Sequence, residues 1–219
     1  MPEPMSRRTS SDLRAALAGA LLLALAGCVM PGAPATDRTT VLGGALTLAA
    51  PKGFCVDPGS RRDGKEGSFV LWGNCAAISG DATAPKPPYR AMLTATVGPE
   101  GAGPVEATFP GFERFFRSGA GRAALARSGA PDDVEILKVK RSGHLLLLKI
   151  RDRSRVQGAP VSETYWRAIT GLSGRITALS VLPLEGASIT DAAQIRMLTD
   201  FDATIRAANP ETITASPKS

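Results

Sequence analysis

Between residues 41 and 209 the apolar positions follow two periods, an alternation near two and a spacing of three and four, interrupted by Gly and Pro. Residues 42–49, 68–74 and 89–97 are short apolar or alternating runs bounded by Gly and Pro, which predicts strands. Residues 111–127 change period, and Phe112, Phe115, Phe116, Ala120, Ala123, Ala124 and Leu125 form the apolar side of a helix that Gly119 and Gly121 can break. Four more strands follow over 134–140, 145–152, 163–170 and 175–182. Ser142-Gly143 and Leu172-Ser173-Gly174 are short enough to close hairpins between them. Over 192–208, Ala192, Ile195, Leu198, Phe201, Ile205 and Ala208 make one stripe, with Ser188 and Asp191 as the expected capping pair. Strands that return by hairpins, and helices with one apolar side, predict an α+β domain. It should hold an antiparallel sheet of six or seven strands with an intermediate helix and a C-terminal amphipathic helix packed on it.

The N-terminal pattern is different. Arg7, Arg8 and Arg14 precede residues 15–25, an unbroken run of Ala, Leu and Gly. Basic residues followed by a short apolar core describe an export signal, and the run is shorter than the roughly 20 residues that span a bilayer. It ends in Leu25-Ala26-Gly27-Cys28, which resembles the lipobox of bacterial lipoproteins. That resemblance implies cleavage before Cys28, a diacylglycerol on its sulfur and attachment of the mature chain to a membrane. The competing reading takes Ala24-Leu25-Ala26 as an ordinary signal-peptidase site and leaves Cys28 a free thiol. Arg7-Arg8 also starts a twin-arginine pattern, but Ser10 and Ser11 stand where that signal carries bulky apolar residues, so general secretion is expected. By analogy with Gram-negative lipoproteins, the non-acidic Val29 points to the periplasmic face of the outer membrane. The expected organisation is a signal over 1–27, a lipidated Cys28 with a Pro- and Thr-rich tether over 28–40, one domain over 41–209, and a disordered tail over 210–219.

Removing the first 27 of 219 residues leaves 192, enough for one hydrophobic core. The signal accounts for one unit of the formal charge of +6, leaving +5 on the mature chain. For an exported protein this balance fits anionic lipid, lipopolysaccharide or cell-wall polymer rather than nucleic acid, and solubility alone is the simpler reading.

The order of elements resembles the PsbP-like fold. The likeness rests on the opening strand leading into Pro51-Lys52-Gly53-Phe54, on the intermediate helix, on later strands carrying Tyr165-Trp166-Arg167 and Arg175-Ile176-Thr177, and on the C-terminal helix. It implies an accessory or binding role and designates no functional residue. The segment Pro51-Lys52-Gly53-Phe54-Cys55-Val56-Asp57-Pro58 is also similar to uncharacterised alphaproteobacterial lipoproteins.

Candidate chemistry is sparse. Cys55 and Cys75 flank a polar stretch centred near Lys65, so a symmetric hairpin sets them opposite one another and predicts a disulfide. A redox or metal-binding pair is the alternative, without a C-x-x-C spacing to support it. One histidine, His144, rules out several-histidine metal sites within one chain, and no serine occupies a G-x-S-x-G elbow. Asp132-Asp133 reads as an exposed loop, and nothing in the sequence calls for a cofactor. With Ser142-Gly143 as the turn, Val139 pairs with Leu146 and Leu137 with Leu148 on a core face. Lys138, Lys140, Lys149 and Arg151 then share the other face, continued by Arg153 and Arg155. That face is the candidate docking surface for anionic lipid or an envelope protein, against the alternative of a merely solvated strand. The functional expectation is a non-catalytic, membrane-tethered binding or accessory module of the envelope. An envelope hydrolase and a structural spacer are the competing classes.

Overall fold

A computed structural model describes residues 35–101, 104–154 and 160–210. The export signal, Cys28, most of the tether, Arg155 and residues 211–219 lie outside the described residues. The strands are β1 (Arg38–Val41), β2 (Leu46–Ala49), β3 (Phe54–Val56), β4 (Arg62–Gly64), β5 (Gly67–Asn74), β6 (Ala91–Glu100), β7 (Val134–Ser142), β8 (Leu145–Asp152), β9 (Thr164–Leu172) and β10 (Arg175–Pro183). The α-helices are α1 (Cys75–Ser79), α2 (Phe109–Arg117), α3 (Gly119–Leu125) and α4 (Asp191–Ala208). Eight strands form one antiparallel sheet in the order β3-β5-β6-β10-β9-β8-β7, with β4 pairing β5 beyond β3, while β1 and β2 form a separate hairpin. The α+β class and both packed helices agree with the apolar pattern, and the sheet holds one strand more than the pattern suggests.

The strands differ from the pattern for local reasons, and those added to the large sheet are β3 and β4, on one edge of β5. Residues 42–49 are not one strand: Leu42, Gly43 and Gly44 all take positive φ and turn the chain between β1 and β2. Strand β1 opens at Arg38, inside the stretch that composition assigns to the tether, because Thr39, Thr40 and Val41 are β-branched and pair with Thr47 and its neighbours. The polar stretch after Cys55 adds β4, which closes on β5 across a two-residue turn at Lys65-Glu66.

Each face of the sheet carries a core. On one, α4 and the β1–β2 hairpin cover Trp72, Leu93, Val97, Leu145, Leu147, Trp166 and Leu179. On the other, α2, α3 and the turn at Val105 cover Leu146, Leu148, Ile150, Tyr165 and Ile169. Strand β8 is therefore buried on both sides, which is why residues 145–148 read Leu-Leu-Leu-Leu without alternation. The β7–β8 turn is Gly143-His144, one residue later than the pattern suggests: Ser142 pairs with Leu145, and Val139 with Leu148 rather than Leu146. Gly143 supplies the positive φ that a two-residue hairpin needs at its first central position. Leu137 falls at a register break between Ile136 and Lys138, so its expected partnership with Leu148 does not form.

The helix expected over 111–127 divides at Ser118, whose hydroxyl accepts the Gly121 N–H at 3.1 Å and caps α3. A Cβ at Gly121 would collide with the Phe115 backbone, so the tight join of α2 to α3 depends on glycine there. Helix α4 is capped by Thr190, not Ser188, through a 3.2 Å bond from the Ala193 N–H to the threonine hydroxyl. Leu198, Phe201 and Ile205 are buried as the stripe predicts, Ile195 is half-buried and Ala192 is exposed. The seam is turned toward Gln194, Met197 and Asp202.

Candidate functional site

The turns at 43–44, 65–66, 143–144 and 173–174 all lie at one end of the sheet, where β6 also finishes at Glu100. Between them an open cleft of about 500 Å³ is lined by Leu42, Gly43, Asp63, Gly64, Lys65, Glu100 and Arg175. Leu42 has φ 58°, a strained value for a branched side chain, and its N–H donates to Asp63 Oδ1 and Oδ2 at 2.9 and 3.2 Å. The Ser68 hydroxyl donates to Asp63 at 2.5 Å, and Arg61 reaches both Asp63 and the Thr40 carbonyl. The Ser68 bond, the Leu42 bond and the Arg61 charge outweigh burial and hold the Asp63 carboxyl below the usual carboxylate range. Its lone pairs are committed to holding the β1–β2 turn. Across the cleft Arg175 Nη2 donates to Glu100 at 2.8 Å. Lys65 and the outer oxygen of Glu100 face solvent, so the cleft can offer one cation and one anion to a polar ligand.

A second group sits under the same end. His144 Nε2 lies 2.6 Å from Asp202 Oδ2 on α4, and Arg206 Nε donates to the same oxygen at 2.9 Å. Arg206 also donates to Thr170 Oγ1 at 2.8 Å and to the Gly171 carbonyl at 3.0 Å. Asp202 is buried and its Oδ1 has no partner. The arrangement fastens the C-terminal half of α4 to β9 and to the β7–β8 turn. Sequence reasoning missed it because Asp202 looks like a solvent-side residue beside the apolar stripe. The only signal was the single histidine placed at a turn.

The basic face is only partly a free surface. The parity is as expected, with Lys138 opposite Lys149 and Glu135 opposite Arg151. However, Lys149 Nζ is 2.8 Å from Asp191 Oδ2 at the start of α4, and Arg151 and Arg153 share Glu135 at 2.9 and 3.1 Å. The Lys149 bond holds the Asp191 carboxyl below its ordinary range against burial, with lesser help from Trp166 and the Lys138 charge. Lys138 and Lys140 remain exposed on the edge strand β7, with no carboxylate at ion-pair distance among the described residues. Lysines on an edge strand also discourage pairing with another sheet.

Cys55 and Cys75 are joined by a disulfide with Cα atoms 4.7 Å apart. They are not directly opposite: Cys55 pairs with Gly73, and Cys75 is the first residue of α1, capped by Asn74. The symmetry about Lys65 holds at the tip but not along the whole hairpin, because the chain from Asp57 to Arg61 leaves the ladder between β3 and β4. Asp132 and Asp133 lie in a short turn where Asp133 accepts the Ser128 hydroxyl at 2.6 Å, a local tie. Among the described residues no three His, Cys, Asp or Glu side chains converge to hold a metal, and no helix is long and apolar enough to cross a membrane. Comparison with protein-family models and with curated proteins finds no match.

Proposed function

We propose that this chain is a lipid-tethered domain of the cell envelope that acts by binding rather than by catalysis. The observation that carries the reading is the distribution of cysteines. The disulfide uses two of the three, as suits an oxidising compartment, and the third is Cys28, directly after the apolar run and inside Leu25-Ala26-Gly27-Cys28. The direction of β1 supports it. The described chain enters near Thr36 and Asp37, which bond Val56 and Ala50, and runs along β1 toward the cleft. A tether N-terminal to β1 joins the described chain at the end of β1 opposite the cleft.

The test is replacement of Cys28 with Ala followed by cell fractionation and acyl labelling. The native protein should fractionate with membranes and carry label, and the variant should remain uncleaved or be released. A Cys28→Ala protein that still acquires lipid overturns the tether. Turnover of a cell-wall or lipid substrate by the purified native protein overturns the non-catalytic half.

A further inference from the structure

We infer that the β7 edge and helix α2 form a second membrane-facing surface, one that docks on anionic phospholipid. Helix α2 turns Phe109 and Phe116 into the core and exposes Arg114, Phe115 and Arg117 within a single turn. Phe115 is 43% exposed, the most exposed large apolar side chain among the described residues, although it lies in a helix packed on the sheet. Arg141 of β7, whose ladder partner Leu146 lies in the core on the α2 side, joins this surface through a 2.7 Å bond to Glu113. Arg114 and Arg117 have no carboxylate at ion-pair distance among the described residues, so of these three cations only Arg141 is paired, with Glu113.

An exposed aromatic ring among unpaired basic residues is the combination that an anionic bilayer satisfies. The cations meet phosphate oxygens, and the ring enters the boundary between headgroups and acyl chains. Charge complementarity favours this occupant over a protein groove, since an apolar protein surface would leave Arg114 and Arg117 desolvated and unpaired. It also revises which residues form the basic surface. Lys149 and Arg151 are neutralised within the fold on the α4 side of the sheet, and the unpaired arginines of α2 lie on the other side. The inference rests on the lipid tether proposed above.

The test uses the full-length lipid-anchored protein, with Phe115→Cys bearing an environment-sensitive fluorophore and vesicles of phosphatidylcholine alone or with phosphatidylglycerol. Flotation with pure phosphatidylcholine vesicles reports the tether by itself, and its absence overturns the tether without touching the docking surface. Docking is read separately, as a blue shift and quenching by lipid-borne nitroxide that occur with phosphatidylglycerol and disappear near 1 M salt, where screening is complete within about 3 Å. Each cation near such a surface adds roughly five-fold to affinity, so Arg114→Glu with Arg117→Glu should cut the docked fraction at least ten-fold. A label at Thr199→Cys, on the exposed side of α4, should not respond. Equal emission in the two vesicle types, or docking unchanged by the charge reversals in a protein with an unaltered melting curve, overturns the inference.

Discussion

Asp152 is fully buried at the end of β8, and burial alone would raise its pKa. Bonds from the Ser154 N–H at 2.8 Å and from the Arg127 N–H and Nε at 3.1 and 2.9 Å reverse that effect and hold the carboxyl below the usual range. A depressed folded-state pKa contributes stability that is complete above the unfolded value near 3.9 and is lost as pH falls through the folded value. Replacing Arg127 with Ala leaves a buried carboxylate without its cation and should cost about 3 kcal/mol at neutral pH by urea titration. The gap from the native protein should narrow in acid, where a protonated Asp152 no longer needs the guanidinium, and a gap that persists unchanged at low pH would contradict the assignment. Gly121→Ala makes a steric test at the same scale. It forces the Phe115 backbone aside and should destabilise by about 2–3 kcal/mol, with the loss seen as a lower melting temperature.

At the scale of elements, α4 holds two kinds of position together. Phe201 meets Trp72 edge to face at 5.2 Å in the core, while Gln194 and Asp202 on the sheet-facing side are buried polar groups that bond the neighbouring strands and turns. Gln194 accepts the Trp166 N–H at 3.2 Å and donates to the Ile189 carbonyl at 3.1 Å, so the helix is positioned by hydrogen bonds as well as by area. Thr190→Ala removes the cap and should lower stability by about 1 kcal/mol, while Thr190→Ser should retain most of it, both read from denaturant midpoints. The helix was legible in the sequence because Leu198, Phe201 and Ile205 recur at helical spacing. Its exact facing was not legible, because a polar side chain on the seam counts as surface until its partner on another strand is known. The basic face shows the same limit. Alternation correctly put Lys138, Lys149 and Arg151 on one side of the ladder, but it could not show that Asp191 and Glu135 would neutralise two of them.

For the whole molecule, the Cys55–Cys75 bond closes a loop of 20 residues around the β4–β5 tip, and this tip forms one wall of the cleft. Replacing both cysteines with Ser should cost about 3 kcal/mol in the chain-entropy model, measured against the native protein under non-reducing conditions. The cleft should loosen first, and faster amide exchange at residues 62–69 than across β8 and β9 would report it.

What the sequence by itself determined is what short range and periodicity can encode: an antiparallel α+β fold, the presence of its hairpins though not the register of β7 on β8, the terminal helix, and a cysteine pair near enough to bond. These follow from side-chain period, from glycine at turns and from loop length, all of which act between residues close in the chain. Tertiary structure alone decided the cleft, the grip of His144 and Arg206 on Asp202, and which cations remain unpaired. Each of these depends on groups tens of residues apart, such as the Leu42 N–H with Asp63 and His144 with Asp202, meeting at 2.9 and 2.6 Å. Such meetings are set by the order in which β6, β10 and β9 pair, and by the α4 face buried against them, which no local pattern of residues specifies.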